Sequence, residues 1–422
     1  MKVLPTLAAL AAFGLLVCPP VSSVAKVPVD PPKNSNEPIT QVPKSPLPPA
    51  VPDADPVPLL LASREFGAKH LLYELTENPE DNVASSPISF LLAFGMLQVG
   101  AEGASAKEIQ KVMFGDQPFE KIRAAAANFQ REAAQHENVL RIANGAFIAE
   151  KFPIKDDYLA DLRKSFAADI QNTTFPIPGL GLVNEWVKAR TNNRIPELFD
   201  DLSADAVLVL SNALWFKDTW RLPFEPELTK DQEFKLGRGR AAQVKMMNHP
   251  EIDVPYAEGP TWQAIQKFYE TDFSMVILLP KPGTTPLQLV KDGTFAKQLG
   301  ADFRFRLGQV SLPKWKFEGS YSMGDTLQKW GMKSPFKPSQ DFRQIGEDPR
   351  GLQISKVVHK TFIEVTERGT EAAAATGIEV EAGSAPFEPP KPFVFIADRP
   401  FLYAILTPSG MPIMVGCVQD PR

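Results

Sequence analysis

The chain has 422 residues, with 45 Lys plus Arg against 50 Asp plus Glu and a formal net charge of −5. At 44% hydrophobic and 23% charged it has a globular composition, which excludes a wholly disordered or fibrous protein. The mild acidity argues against nucleic acid as a partner, because a polyanion needs a basic face and the one compact basic cluster is Arg238-Gly-Arg240.

Residues 1–25 read as an export signal. Lys2 supplies the positive start, residues 3–17 are almost wholly apolar, and Ser23-Val24-Ala25 is a small-x-small cleavage site. The apolar run is shorter than the roughly 18 residues a membrane span needs. Membrane attachment would require lipidation at Cys18, where Val17 is bulky for such a signal. A secreted or periplasmic protein is therefore expected. Removal of the signal would leave Cys417 as the one remaining cysteine. With four His and no Cys-x-x-Cys or His-Glu-x-x-His, neither thiol redox chemistry nor a metal site is expected. Residues 26–58 hold 11 Pro in 33 residues, the composition of a disordered linker that cannot bury a core.

From Leu59 the texture changes. Apolar spacing predicts helices over 59–77, 86–114, 118–136, 155–166 and 180–190. Strand patterns follow at 140–148, 206–216, 243–247, 262–267, 274–279, 303–312, 352–365, 393–396, 401–406 and 412–418. Helices early and strands late, without βαβ alternation, predict an α+β fold.

No catalytic constellation emerges. The chain lacks a Gly-x-Ser-x-Gly turn and a Gly-x-x-x-x-Gly-Lys loop. Gly179-Leu-Gly181 begins like a dinucleotide fingerprint, but Asn184 stands where its third Gly belongs. Among the four His only His359 lies in a strongly apolar strand, where a hydrogen-bonded core residue is the commoner role. The chain is not read as an enzyme, and no cofactor is implied.

The informative stretch runs from Glu367-Arg-Gly-Thr-Glu-Ala-Ala-Ala-Ala-Thr376 through Gly377-Ile-Glu-Val-Glu-Ala-Gly-Ser-Ala-Pro386. Propensity favours a helix over the four Ala. Counted by twos, however, Thr370, Ala372, Ala374, Thr376, Ile378, Val380 and Ala382 form one small or apolar face of a strand. The Gly- and Pro-rich residues that follow read as an exposed loop, so the segment is patterned for two states.

With these residues the chain resembles the serpin family. Matching blocks are Asn82-Val-Ala-Ser-Ser86-Pro-Ile-Ser89, Gly100-Ala-Glu-Gly-Ala-Ser-Ala-Lys-Glu-Ile109 and Asn212-Ala-Leu-Trp-Phe-Lys217-Asp-Thr-Trp220-Arg-Leu-Pro-Phe224. Leu312-Pro-Lys314, Ser355-Lys-Val-Val-His359-Lys360 and Asp398-Arg-Pro-Phe401 complete the ordered set. Asp218 departs from the Gly usual after Phe-Lys, which suggests a changed turn.

The resemblance implies one serpin domain over 59–422, an α+β fold with three β-sheets, about eight or nine helices and an exposed reactive loop. It further implies an exported, bacterial, monomeric inhibitor whose partner is a target serine protease, trapped as a covalent complex after loop cleavage and insertion. The hinge would comprise Glu367, Gly369, Thr370, Glu371, Ala372, Ala373, Ala374, Ala375 and Thr376, with Thr370 exposed before insertion. Ser86, Ser89, Asn212 and His359 would form the cluster that controls sheet opening. Trp220 and Lys314 would frame the place where the hinge enters, with Lys314 pairing Glu367. Counting from Glu367 puts the reactive bond at Gly383-Ser384, suited to an elastase-like protease; Phe387 is the alternative, suited to a chymotrypsin-like one. The other class carried forward is a non-inhibitory serpin acting as a binding or chaperone-like module, whose hinge would hold bulky or charged residues.

Overall fold

The computed structural model describes residues 9–19, 46–370 and 391–422. Strand β1 is Ala9–Cys18. The helical half follows as α1 (Val57–Glu77), β2 (Val83–Ser85), α2 (Pro87–Val99), α3 (Gly103–Ile109) and α4 (Phe119–Gln135), then β3 (Leu140–Ala149), α5 (Asp156–Phe166), β4 (Asp169–Thr173) and α6 (Gly179–Arg190). The strand-rich half contains β5 (Leu208–Phe216), β6 (Asp218–Thr219), β7 (Lys230–Lys235), β8 (Ala241–Glu258), β9 (Trp262–Phe268) and β10 (Ser274–Pro280). It continues through α7 (Pro286–Lys291), α8 (Thr294–Gln298), β11 (Arg304–Pro313), β12 (Trp315–Ser322), α9 (Gly324–Lys329) and β13 (Gln353–Val365). The last strands are β14 (Gly369–Thr370), β15 (Phe393–Ile396), β16 (Phe401–Leu406) and β17 (Pro412–Val418). Nine α-helices and three sheets thus make up the described residues, the α+β architecture expected.

The first sheet has six strands in the order β12-β13-β1-β5-β3-β4. The second runs β15-β11-β8-β9-β10-β16-β17-β2, with β7 on β8, and the third is the pair β14-β6. Helix α2 lies between the two large sheets, and Pro87 through Leu97 are all buried. Such a helix must be apolar on every side, and Ile-Ser-Phe-Leu-Leu-Ala-Phe meets that need. The far face of the first sheet is covered by α6, where Val183 and Trp186 pack with Leu10, Ala12 and Leu16.

The structure corrects two boundaries. The helix expected over 86–114 breaks after Val99, where Gly100 ends α2 and Gly103 takes a positive φ of 60° to start α3. The linker also ends earlier than 58. Helix α1 begins at Val57, and Val51 exchanges two hydrogen bonds with the Asn128 side chain on α4, at 3.0 and 2.9 Å. Arg131 on the same helix donates to the Pro48 carbonyl at 3.1 Å.

The apolar run assigned to the export signal stands here as a strand. β1 is antiparallel to β13 on one side and to β5 on the other, so β5 and β13 run parallel to each other with β1 filling the gap between them. All ten of its residues are buried. Ala9, Ala11, Phe13, Leu15 and Val17 face the core around α2; Leu10, Ala12 and Leu16 face α6. Gly14 is needed for packing, since a Cβ there would stand 2.3 Å from the Phe199 ring.

Candidate functional site

The site lies along the gap between β5 and β13, and its mouth is where β13 ends. Thr366 and Gly369 close a tight turn by exchanging backbone hydrogen bonds at 3.1 and 3.2 Å. Gly369 has φ of 133°, and a Cβ would meet the Asp218 carbonyl at 2.5 Å, so no other residue fits. The turn sends Gly369 and Thr370 back along β6, opposite Thr219 and Asp218.

Glu367 is held from three directions. Lys314 Nζ lies 3.0 Å from one carboxylate oxygen, Thr229 donates to the other at 2.9 Å, and the Phe224 amide donates to the Glu367 carbonyl at 2.9 Å. Burial pushes this carboxyl upward, but its own backbone amide, Lys314 and Thr229 outweigh that and hold it below the usual range. Trp220 is fully buried, stacks on Tyr269 at 4.2 Å, and donates from its indole to the Thr366 carbonyl at 3.2 Å. Trp220 and Lys314 thus both contact the segment Thr366–Glu367 at the end of β13.

Thr370 departs from the expectation. It is fully buried, with its hydroxyl 2.8 Å from that of Tyr269, so the first inward-facing hinge residue is already seated and not exposed. Asp218, the departure from the family pattern, sits directly opposite it. The Asp218 carboxylate accepts from the Thr219 amide at 2.8 Å and from the Thr271 hydroxyl, while burial pushes its pKa up.

Lower in the gap, Ser86, Ser89, Asn212 and His359 are all buried, but they form two groups. The Ser86 and Ser89 hydroxyls are 2.8 Å apart, and the Ser86 amide donates to His359 Nε2 at 3.1 Å. Burial drives the His359 pKa well below its ordinary value, His70 adds to that, and a backbone contact with Ala12 opposes it. Asn212 instead donates to Asn144 at 2.9 Å, which donates onward to Gln130 and to the Phe166 carbonyl. Phe13 separates the groups, with His359 opposite it on β13 and Asn212 opposite it on β5.

Sequence reading missed Asn144, Gln130 and Lys267. Asn144 was visible as a polar residue inside an apolar strand; the other two give no local signal. Lys267 is 2% exposed, its amine donates to the Leu222 carbonyl and lies 5.2 Å from the Trp220 ring, and burial pulls its pKa down to about 7. Glu371 to Thr376, Gly383, Ser384 and Phe387 lie outside the described residues. Among the described residues no group of acidic, His or Cys side chains could hold a metal, and no helix is long and apolar enough to cross a membrane.

The serpin (serine protease inhibitor) family matches residues 62–421. Iripin-2 of Ixodes ricinus is 34% identical over 361 residues, covering 82% of this chain and 89% of that protein. The leukocyte elastase inhibitor of Sus scrofa is 32% identical over 366 residues, covering 82% and 94%. Among solved structures, a cleaved serpin 42Da superposes with a TM-score of 0.76 at 28% identity, over 87% of this chain and 99% of that one.

Proposed function

The chain belongs to the serpin family, and from that premise we propose that it is exported and inhibits serine endopeptidases as a suicide substrate. The observation that carries this reading is the gap itself. β5 and β13 run parallel and accept an antiparallel strand between them, and the hinge begins at its mouth with Thr370 already turned in.

The protease's serine oxygen attacks the Gly383 carbonyl carbon, the bond to the Ser384 nitrogen breaks, and the amine leaves with the proton. An ester now joins the protease to Gly383. Hydrolysis of that ester competes with insertion of the freed strand beside β5. Small side chains at Ala372 to Ala375 favour insertion, since little must be desolvated. Once the strand is seated, the protease is dragged along the sheet and distorted, and its ester survives.

Ala382 and Gly383 suit a shallow elastase-like pocket, and no Lys or Arg lies between Thr370 and Lys391, which disfavours trypsin-like targets. The resemblance to a leukocyte elastase inhibitor points the same way. The test is incubation of the processed chain, beginning at Lys26, with pancreatic elastase and chymotrypsin. A complex that survives denaturing gels, with a released peptide beginning at Ser384, is expected. A peptide beginning at Glu388 would move the site to Phe387; cleavage without any complex would overturn inhibition.

A further inference from the structure

The Gly369–Thr219 and Thr370–Asp218 pairs fix a register on β6, which can be carried back through Lys217 into β5. Continued downward, it would set Ala372 opposite Phe216, Ala374 opposite Leu214 and Thr376 opposite Asn212. Those partners are already taken, by Ala9, Ala11 and Phe13. Residues 9–18 read Ala-Leu-Ala-Ala-Phe-Gly-Leu-Leu-Val-Cys and residues 372–381 read Ala-Ala-Ala-Ala-Thr-Gly-Ile-Glu-Val-Glu. In this register Ala9, Ala11, Ala12, Gly14 and Val17 coincide with identical residues, and Leu15 with Ile378. The coincidence includes the glycine that Phe199 demands.

Resting on the inhibitory reading above, we propose that residues 9–18 are an internal copy of the inserting strand, which occupies its place and holds the unprocessed chain in a form that proteases cleave without being trapped. Where the two segments differ, the leader fits the buried gap better. Leu16 and Cys18, 2% and 0% exposed, stand where the hinge would bring Glu379 and Glu381. Phe13 packs its ring 4.8 Å from Phe90, where the hinge would bring Thr376. Burying two carboxylates is unfavourable without partners, so the leader holds the gap against the loop. Cleavage after Ala25 removes the occupant, which restricts trapping to the exported chain.

Two experiments on the full chain test this. Cys18 lies directly opposite Gln353, at a spacing that antiparallel neighbours share with disulfides. Gln353→Cys should form a disulfide to Cys18 on mild oxidation, read by peptide mapping; its failure to form would overturn the strand's place. Phe13→Asp, or Gly14→Leu should the first misfold, should expel β1. Either should raise the fraction of elastase trapped in gel-stable complex at least tenfold over the unaltered full chain. Equal trapping by variant and unaltered chain would overturn the lock. If the disulfide forms, yet both the expelled variants and the chain beginning at Lys26 fail to trap, the inhibitory reading falls and the strand's place stands.

Discussion

Lys267 and His359 are buried bases whose protonation opposes folding, and each makes stability depend on pH in a definite direction. Lys267 is held near 7 in the fold against an ordinary 10.5. Between those values only the unfolded chain carries the proton, so stability rises with pH across that window and the full cost is present at neutrality. Lys267→Met should therefore flatten the alkaline rise, so that the variant fares better against the unaltered chain at pH 7 than at pH 10, read by urea unfolding at both. His359 also stays neutral in the fold, so acid takes up a proton preferentially in the unfolded chain and stability falls as pH drops below 6.5. His359→Ala leaves the buried Ser86 amide without its acceptor and should cost about 1–3 kcal/mol at pH 7. Unchanged thermal unfolding in that variant would mean that the ring contributes nothing to the cluster.

The short pair β14-β6 decides how the hinge starts. Gly369→Ala forces a Cβ against the Asp218 carbonyl and should cost about 1–3 kcal/mol, freeing Thr370 from Tyr269. Thr370→Val removes one buried hydrogen bond while keeping the shape, for about 1 kcal/mol. Thermal unfolding reads both losses, and hydrogen exchange at Thr370 reads the freed hinge. Strands such as β5, β10, β16 and β17 were legible in the sequence because burial on both faces left long apolar runs. β12 was not: Trp315, Phe317 and Tyr321 do alternate with outward Lys316, Glu318 and Ser320, but Gly319 leaves a gap in the apolar face of this edge strand. The mouth of the site was legible through family motifs at Trp220, Lys314 and Glu367. The seating of Thr370 was not, because it depends on Tyr269, about a hundred residues away in sequence. Nor was β1 legible as a strand, since an apolar leader and a buried strand share one composition.

At the scale of the whole molecule, a strand between β5 and β13 joins them into one continuous sheet. Loop cleavage of the chain beginning at Lys26 should raise its unfolding temperature by about 10 °C or more, as a new strand adds ladders on both sides. The same cleavage in the full chain should leave it nearly unchanged, because β1 already supplies those ladders. Scanning calorimetry before and after elastase treatment separates the two cases. Among the described residues, the chain ahead of α1 touches the body of the fold again at Pro48 and Val51, which α4 grips through Arg131 and Asn128. That grip makes α4 a mooring point. Were the chain cut after Ala25, the stretch from Lys26 to the Pro48 anchor could reach at most about 80 Å. A bead, dye or carrier domain coupled at Lys26 would thus lie within that distance of α4, and fluorescence transfer to an acceptor on that helix would measure it.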